Sequence, residues 1–471
     1  MNDNSPARQY FPEACAKALT ELEGTALVDA VCNHLLAAQA RLARERSVGD
    51  ILDAFDRVAS HWLARLDAKD SLISEIAAYT GLSPEMVDLC IRAEQTSSGA
   101  ADAGEALDAE LGDRRTLDGF VWQPQFKRHV RAIGPRLTLG ILPGNIPGLS
   151  HLPMMRALLV KSSFLGKSAG GEPFYAAAYA RSLASIDPLL GECIAVLDWR
   201  REEEQLLESA LAHADAVIAY GSAESVDAIA ARVRPTQRFS AHGHKVGVAV
   251  VVANEVETRL DEVCEALALD VAMYDQQACL APQHLLIVGN DTQSERVANS
   301  LGASLARFHE RVPRATPDLE QAASLRAWSD GIEWSGGRIW GRGPWGIVAE
   351  TVAAHPLSPT PGFRSAQLTV VADLESAVAA VQGWQPWLQN AAIAASASTF
   401  AELAEKLAQL GCSRVTQVGA MPFPSFRWHH DGRPCIADLV RFCDIEATAE
   451  NPLLSPIFDQ VGSSGEPGGD T

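Results

Sequence analysis

Hydrophobic residues in the first 115 positions recur at helical spacing. Alanine-rich segments punctuated by leucine cover residues 12–45 and 50–67, and Ser83 with the proline after it is a typical helix start. Small and polar residues over 97–104 predict a loop. We therefore expect a layer of helices that packs on the main body of the protein and carries no catalytic residue.

From about residue 116 the pattern changes to short apolar runs that alternate with helical segments. Runs of this kind are typical of buried parallel strands, and strands are predicted at residues 136–142, 163–167, 193–197, 216–220, 246–252, 284–288, 367–371, 391–396 and 413–418. Glycine and tryptophan over 335–346 predict a loop or hairpin. Strands that alternate with helices predict an α/β fold with a Rossmann-like sheet.

These changes in the hydrophobic pattern divide the chain into predicted units. The units are an N-terminal helical region (1–115), a Rossmann-like dinucleotide-binding domain (116–245), a catalytic α/β domain (246–420), a C-terminal return segment (421–450) and a tail (451–471). The tail is rich in glycine and serine, and most of it is predicted to be disordered.

Composition narrows the class of protein. The 471 residues are 47% hydrophobic and 21% charged, which is ordinary for a globular protein with more than one core. A net charge of −20 disfavours general binding to nucleic acid or to anionic membranes. No apolar run reaches the roughly 18 residues of a membrane span, and no secretory signal is visible. Nine scattered cysteines without a CxxC pair argue against a disulfide framework and indicate a reducing, cytoplasmic setting.

One of these cysteines, Cys279, falls on a predicted loop between a helix and the strand at 284–288. A single cysteine is more often a small buried apolar residue than a nucleophile. A thiolate at this position would form a thioester with an acyl group. The charge that then develops on the carbonyl oxygen needs a donor, and Asn145, in a turn-rich loop after a strand, is the candidate. The alternative is an asparagine that only completes the turn.

Other motifs give weaker signals. Gly221 and Ser222 follow a predicted strand and open a helix, where free amides favour a phosphate, although Ser222 could be only an N-cap. Lys167 ends another strand and is either a ribose or phosphate contact or a solvated lysine. The histidines within 242–245 and 429–432 lack the further ligands of a zinc site, so no metal is predicted.

The order of these segments resembles the aldehyde dehydrogenase superfamily, and more closely its acyl-CoA reductase branch, the LuxC family. The motifs are Gly-Ile-Leu-Pro-Gly-Asn-Ile-Pro-Gly at 140–148, Lys-Ser-Ser-Phe-Leu-Gly-Lys at 161–167, Tyr-Gly-Ser at 220–222, Gly-His-Lys at 243–245, Tyr-Asp-Gln-Gln-Ala-Cys at 274–279 and Asp-Gly at 431–432. The resemblance implies an aldehyde-dehydrogenase-like fold, with a Rossmann-type cofactor domain, an α/β catalytic domain and a cleft between them.

The same resemblance implies roles for single residues. Cys279 matches the catalytic cysteine and Asn145 the asparagine of the oxyanion hole. The implied cofactor-binding residues are Pro143, Gly144, Lys167 at the adenosine ribose, Ser168, and Gly221 with Ser222 at the pyrophosphate.

Departures from the family pattern affect the expected reaction. Hydrolytic members carry a glutamate that activates water, and Ala241 stands at that position here, so a thiol such as coenzyme A is the expected acyl exchanger. A second family glutamate near the nicotinamide ribose has no counterpart within 359–363. Gly170 replaces a carboxylate that would repel a 2′-phosphate, which favours NADPH, whereas Glu172 nearby keeps NADH possible.

The predicted function is an acyl-CoA or acyl-protein thioester reductase that releases an aldehyde through a Cys279 thioester and NAD(P)H. Three alternatives stay open: an acyl phosphate reductase, a cysteine acyltransferase or thioesterase without dinucleotide, and a non-catalytic scaffold. An acyl-activating or acyl-carrier protein is a possible partner, and the resemblance implies a homo-oligomer.

Overall fold

The computed structural model describes residues 7–15, 21–352 and 358–446, so the predicted tail at 451–471 lies outside the described residues. The α-helices in these ranges are α1 (Gly24–Glu45), α2 (Val48–Asp67), α3 (Ser71–Thr80), α4 (Pro84–Ser97), α5 (Ala100–Leu111), α6 (His151–Leu159), α7 (Tyr175–Ile186), α8 (Pro188–Glu192), α9 (Glu204–His213), α10 (Ala223–Ala230), α11 (Leu260–Ala272), α12 (Asp291–Arg311), α13 (Leu319–Trp334), α14 (Leu374–Val381) and α15 (Ala397–Gln409).

The strands are β1 (Val121–Gln123), β2 (Arg128–Ile133), β3 (Leu137–Ile141), β4 (Ser163–Lys167), β5 (Ile194–Leu197), β6 (Ala216–Tyr220), β7 (Arg238–His242), β8 (Val246–Val252), β9 (Pro282–Val288), β10 (Arg338–Gly343), β11 (Gly346–Thr351), β12 (Ser365–Val371), β13 (Leu388–Ala394), β14 (Arg414–Gln417) and β15 (Arg441–Ile445). All the strands predicted from the sequence are observed; β4, β6 and β8 have the predicted bounds, and the ends of the others differ by a few residues.

Two parallel sheets form the centre of the molecule. The first has the order β5-β4-β3-β6-β7, and all its neighbours are parallel. The second has the order β10-β11-β12-β9-β8-β13-β14 and is parallel except for the β10–β11 hairpin. Strands β5, β6 and β8 are entirely buried and apolar apart from the Tyr220 hydroxyl, as expected for strands covered on both faces by helices.

The N-terminal helices form the predicted layer over the first sheet. Ser47 begins α2 with a capping box, and Ser83 begins α4 by accepting the Met86 amide, with proline at the first helical position. The loop predicted over 97–104 is wrong, because α5 begins at Ala100. In α5, Gly104 leaves room for the Arg114 guanidinium, which any larger side chain would displace.

A third, antiparallel sheet has the order β1-β2-β15 and was not predicted. It joins two segments that lie about 310 residues apart in the sequence. Among the residues that the structure describes, no helix combines the length and apolar character that crossing a membrane requires.

Candidate active site

A cleft of about 890 Å³ runs from the first sheet to the loop that carries Cys279. Its walls come from the segments that follow β3, β4, β6 and β7 and from the segment before β9. Asn145, Lys167, Ser222 and Cys279, which are far apart in the sequence, all line it. The predicted catalytic and phosphate-binding residues therefore meet at one site.

The backbone just before Cys279 is unusual. Tyr274, Asp275 and Gln276 all have left-handed conformations, with φ of 58°, 48° and 65°. For residues with a Cβ atom this costs about 1–2 kcal/mol each, so other contacts must hold the segment. Strained backbone of this kind is concentrated at functional sites.

Buried polar contacts supply that support. Both side chains of the Asp275–Arg364 ion pair are 0% exposed, with 2.7 Å between Oδ1 and Nε. The Gln276 amide donates to the carbonyls of Pro282 (2.9 Å) and Ser365 (3.0 Å), and its oxygen accepts the Ser365 N–H (2.7 Å). These bonds fix the loop to β9 and β12, and with it the position of Cys279.

Asn145 connects the first sheet to this loop. Its Nδ2 donates to the Gln277 carbonyl over 2.9 Å, two residues before Cys279. Gly144, the residue before it, packs so closely that an added Cβ would stand 2.6 Å from the Ala169 side chain. The Asn145 amide has a second N–H, and the exposed side chain lies in the cleft, as an oxyanion donor requires.

The surroundings of Cys279 favour its neutral thiol. Burial raises the pKa of Cys279 to about 12 and the carboxylate of Asp431 adds to the rise, whereas the backbone N–H groups of Cys279 and Leu280, and then Lys245, oppose it. The side chain keeps partial access to the cleft. A reaction at this sulfur therefore needs a group that removes its proton.

A cluster formed by His242, His430 and Asp431 lies beside the cleft, and both histidines line it. His242 Nδ1 lies 2.8 Å from Asp431 Oδ2, so the ring donates to the carboxylate, and Gln389 donates to Oδ1 over 2.6 Å. His242 and His430 stack with centroids 4.1 Å apart, and Trp428 stacks on His430 at 4.6 Å. Each histidine segment alone is an incomplete metal motif, and only the fold brings the two together.

The cluster does not have the geometry of a metal site. Ligand atoms of His242, His430 and Asp431 lie within 4.8 Å of one another. The histidine rings, however, are nearly parallel, with 23° between their planes. Metals bind in the plane of an imidazole, and the nitrogen lone pairs of two stacked rings do not converge on one point.

The other end of the cleft suits a dinucleotide. Ser222 is the N-cap of α10, and its Oγ accepts the Ser225 N–H over 3.2 Å, which leaves further amides of the first turn open to a phosphate. Lys167 ends β4 in the same cleft. Burial lowers the pKa of Lys167, and Asp198 and Glu202 oppose that shift.

Of the remaining predicted cofactor residues, all but Ser168 line the cleft. Pro143 and Gly144 line the cleft, as does Gly221. Ser168 does not: it is 1% exposed, and its backbone N–H donates to the Leu197 carbonyl over 2.8 Å.

Glu172 also points away from the cleft. It is 3% exposed, and its Oε1 accepts the N–H groups of Phe174 and Tyr175 at the start of α7. Gly170 lines the cleft without a carboxylate. Glu172 therefore caps helix α7 and does not stand in the cleft, where it could repel a 2′-phosphate.

Comparison with known proteins agrees with this arrangement. The family model described as acyl-CoA reductase (LuxC) matches residues 43–442. A long-chain acyl-protein thioester reductase from Photorhabdus luminescens is 26% identical over 287 residues, which cover 59% of this chain and 58% of that protein. The match thus spans little more than half of that relative.

Solved structures share the fold at low sequence identity. An aldehyde dehydrogenase from Physcomitrella patens, in complex with succinate, has a TM-score of 0.69 at 14% identity and covers 90% of both chains. Glyceraldehyde-3-phosphate dehydrogenase from Methanocaldococcus jannaschii, complexed with NADP, has a TM-score of 0.68 at 11% identity and covers 90% of this chain and 94% of that one. The predicted aldehyde-dehydrogenase-like fold is confirmed.

Proposed function

Because this chain belongs to the acyl-CoA reductase (LuxC) family and has the aldehyde dehydrogenase fold, we propose that it reduces an acyl thioester to an aldehyde through a thioester on Cys279. The sulfur attacks the acyl carbonyl, the donor thiol leaves, and the enzyme-bound acyl group is then reduced. Coenzyme A is the proposed leaving thiol when acyl-CoA is the donor.

The hydrogen bond from Asn145 to the Cys279 loop carries this proposal. It brings an amide donor of the first sheet to the loop of the only cysteine that lines the cleft, among the residues described. The second N–H of Asn145, together with a backbone N–H, would hold the negative oxygen that forms during attack.

The absence of a carboxylate at position 241 favours acyl transfer over hydrolysis. Ala241 is exposed on β7 and does not line the cleft, and its neighbour His242 is hydrogen-bonded to Asp431. No carboxylate thus stands at the position where a hydrolytic relative would activate water. The thioester on Cys279 should therefore survive until it is reduced or transferred to a thiol.

NADPH is the proposed cofactor, with NADH as the alternative, and when bound it supplies the hydride for the reduction. The N-terminus of α10 at Gly221 and Ser222 would hold the pyrophosphate, and Lys167 the ribose. Arg201 and Arg232 line the same end, where they pair with Glu224 at 3.1 Å and with Glu204 at 2.7 Å, and either guanidinium would have to leave its carboxylate to meet a 2′-phosphate. A solved structure with this fold holds NADP.

The organisation of the chain follows from these roles. We assign dinucleotide binding to residues 116–245 and the nucleophile to 246–420, and the C-terminal return segment (421–450) contributes His430 to the cleft. The Photorhabdus luminescens relative is named as an acyl-protein reductase, which supports a protein-bound acyl group as a second donor. A homo-oligomer is also proposed.

Dinucleotide oxidation, followed across a chain-length series of acyl-CoA substrates, tests the reaction. We expect turnover with NADPH exceeding that with NADH, and loss of turnover in Cys279→Ala. Cys443→Ala is the matched control, because Cys443 is exposed on β15. Wild-type turnover in Cys279→Ala would rule out the proposal.

Acyl phosphates, assayed in parallel, separate the remaining alternatives. Faster turnover with acyl phosphate than with any acyl-CoA would identify an acyl phosphate reductase. Acyl transfer or thioester hydrolysis, without dinucleotide binding, would identify an acyltransferase or thioesterase.

A further inference from the structure

A turn built on two glycines follows Lys167 at the dinucleotide end of the cleft. Ala169 and Glu172 form an isolated antiparallel bridge, which makes Gly170 and Gly171 the central residues of the turn. Ala169 and both glycines line the cleft. Because Lys167 is the residue proposed at the adenosine ribose, this turn borders the place where NADPH and NADH differ, the 2′ position of that ribose.

The direction of the peptide group between Gly170 and Gly171 is set from outside the cleft. The Tyr79 hydroxyl, near the end of α3, donates to the Gly170 carbonyl over 2.8 Å. Tyr79 does not line the cleft, so this bond turns the carbonyl toward the helical layer. The N–H of a trans peptide points opposite to its C=O, and the described residues contain no cis peptide bond. The Gly171 N–H is therefore directed away from the helical layer.

The Gly171 N–H thus lies on the cleft side of the turn. Its nitrogen would stand 3.2 Å from a Cβ added to Gly144, which also lines the cleft. In the part of the chain that the structure describes, this N–H has no hydrogen-bond partner, so it can donate to a ligand. A backbone N–H bonds strongly to an anionic oxygen, whereas a carbonyl oxygen repels one. The present orientation therefore favours a ribose that carries a 2′-phosphate.

The same turn has a second orientation, in which this peptide is reversed. Type I and type II turns differ by a rotation of the central peptide through about 180°, and type II requires a left-handed φ at the third residue, here Gly171. Neither Gly170 nor Gly171 has a positive φ in the structure, but glycine adopts one at no steric cost. Reversal would bring the Gly170 carbonyl oxygen to the cleft side in place of the N–H.

The Tyr79 ring is held independently of its hydroxyl. It packs edge to face on Phe174, with 5.2 Å between the centroids. The Arg8 guanidinium lies over both rings, 5.0 Å from the centroid of Tyr79 and 5.2 Å from that of Phe174. Phenylalanine at position 79 would therefore keep these contacts and remove only the bond to Gly170.

We propose that Tyr79 is a positioning residue that sets the cofactor specificity, because it holds the Gly170–Gly171 peptide with its N–H toward the cleft and so favours NADPH over NADH. The inference rests on the proposed function and deepens it. Tyr79 acts through the turn and touches no reacting atom. The helical layer, which surrounds the cofactor end from outside the cleft, thereby contributes to the choice of dinucleotide.

Fluorescence titration of the full-length protein with NADPH and with NADH, in the absence of acyl substrate, tests the inference. In Tyr79→Phe we expect the Kd for NADPH to rise roughly tenfold, because a donor to an anion is lost, and the Kd for NADH to change less than about twofold. Tyr10→Phe is the matched control and should keep both Kd values. The Tyr10 hydroxyl also donates to a glycine carbonyl, that of Gly191, over 3.0 Å, and neither residue lines the cleft.

Adenosine 2′,5′-bisphosphate and 5′-AMP, titrated as competitors, isolate the contribution of the 2′-phosphate. The preference for the bisphosphate over 5′-AMP should fall in Tyr79→Phe by the same factor as the preference for NADPH over NADH. An unchanged Kd for NADPH in Tyr79→Phe, equal losses for both dinucleotides, or a wild type that prefers NADH would overturn the inference alone. A wild type that binds neither dinucleotide would overturn the proposed function, and the inference with it.

Discussion

The buried Asp275–Arg364 pair should control both the stability of the catalytic sheet and the reactivity of Cys279. In Arg364→Met, the Asp275 carboxylate keeps the Ala315 N–H, at 2.8 Å, but loses its counter-charge in a site that is 0% exposed. Removing one partner of a fully buried pair costs about 3–5 kcal/mol. For an unfolding unit of about 200 residues this lowers Tm by roughly 6–20 °C.

The double variant Asp275→Asn with Arg364→Met is the control. Asparagine tolerates the left-handed conformation of residue 275 and can still accept the Ala315 N–H, and no buried charge remains. We expect it to be more stable than the sum of the single variants by roughly 2–3 kcal/mol. Thermal unfolding and acylation of Cys279 should be measured together. The reasoning fails if Arg364→Met unfolds within 2 °C of the wild type or if the two changes are additive, to within about 0.5 kcal/mol.

Three more substitutions test other parts of the protein. Asn145→Ala should lower kcat/KM for the acyl thioester roughly 10²–10³-fold with little change in Tm, and a loss below tenfold would count against an oxyanion role. Arg201→Ala should raise KM for NADPH several-fold and leave KM for NADH nearly unchanged; equal effects on both would remove it from the 2′-phosphate site. Burial raises the pKa of Glu94 to about 7, so the folded protein keeps a proton that the unfolded chain loses above pH 4.5. Between pH 4.5 and 7, stability should therefore fall by up to about 3 kcal/mol more in the wild type than in Glu94→Gln, as Tm against pH would show.

The buried parallel strands could be predicted because each is a continuous apolar run. Strand β8, for example, has all seven residues buried, and its bounds match the prediction. Strand β7, by contrast, has only His242 buried, so its sequence carries no such signal. The sheet β1-β2-β15 was missed for a related reason: its strands are short, and their pairing depends on contacts across the whole chain.

In the site, too, features carried by a local motif could be predicted, and features that depend on distant contacts could not. The positions of Cys279 and Asn145 on loops beside regular elements could be predicted from local motifs, and both line the cleft, whereas their catalytic roles stay predictions. The His242–Asp431 hydrogen bond joins residues 189 positions apart, and neither local sequence indicates its partner. Burial of Ser168 and the inward turn of Glu172 also depend on how β4 and α7 pack, which the sequence pattern does not specify.

The thioester on Cys279 is the central claim, and trapping it is the most direct test. The protein should be mixed with the best acyl-CoA in the absence of dinucleotide and analysed as intact protein and as peptides. We predict one acyl group per chain, on the peptide that contains Cys279, and its release as aldehyde when NADPH is added. Acylation confined to another cysteine, or release of the acyl group only as free acid, would contradict the account.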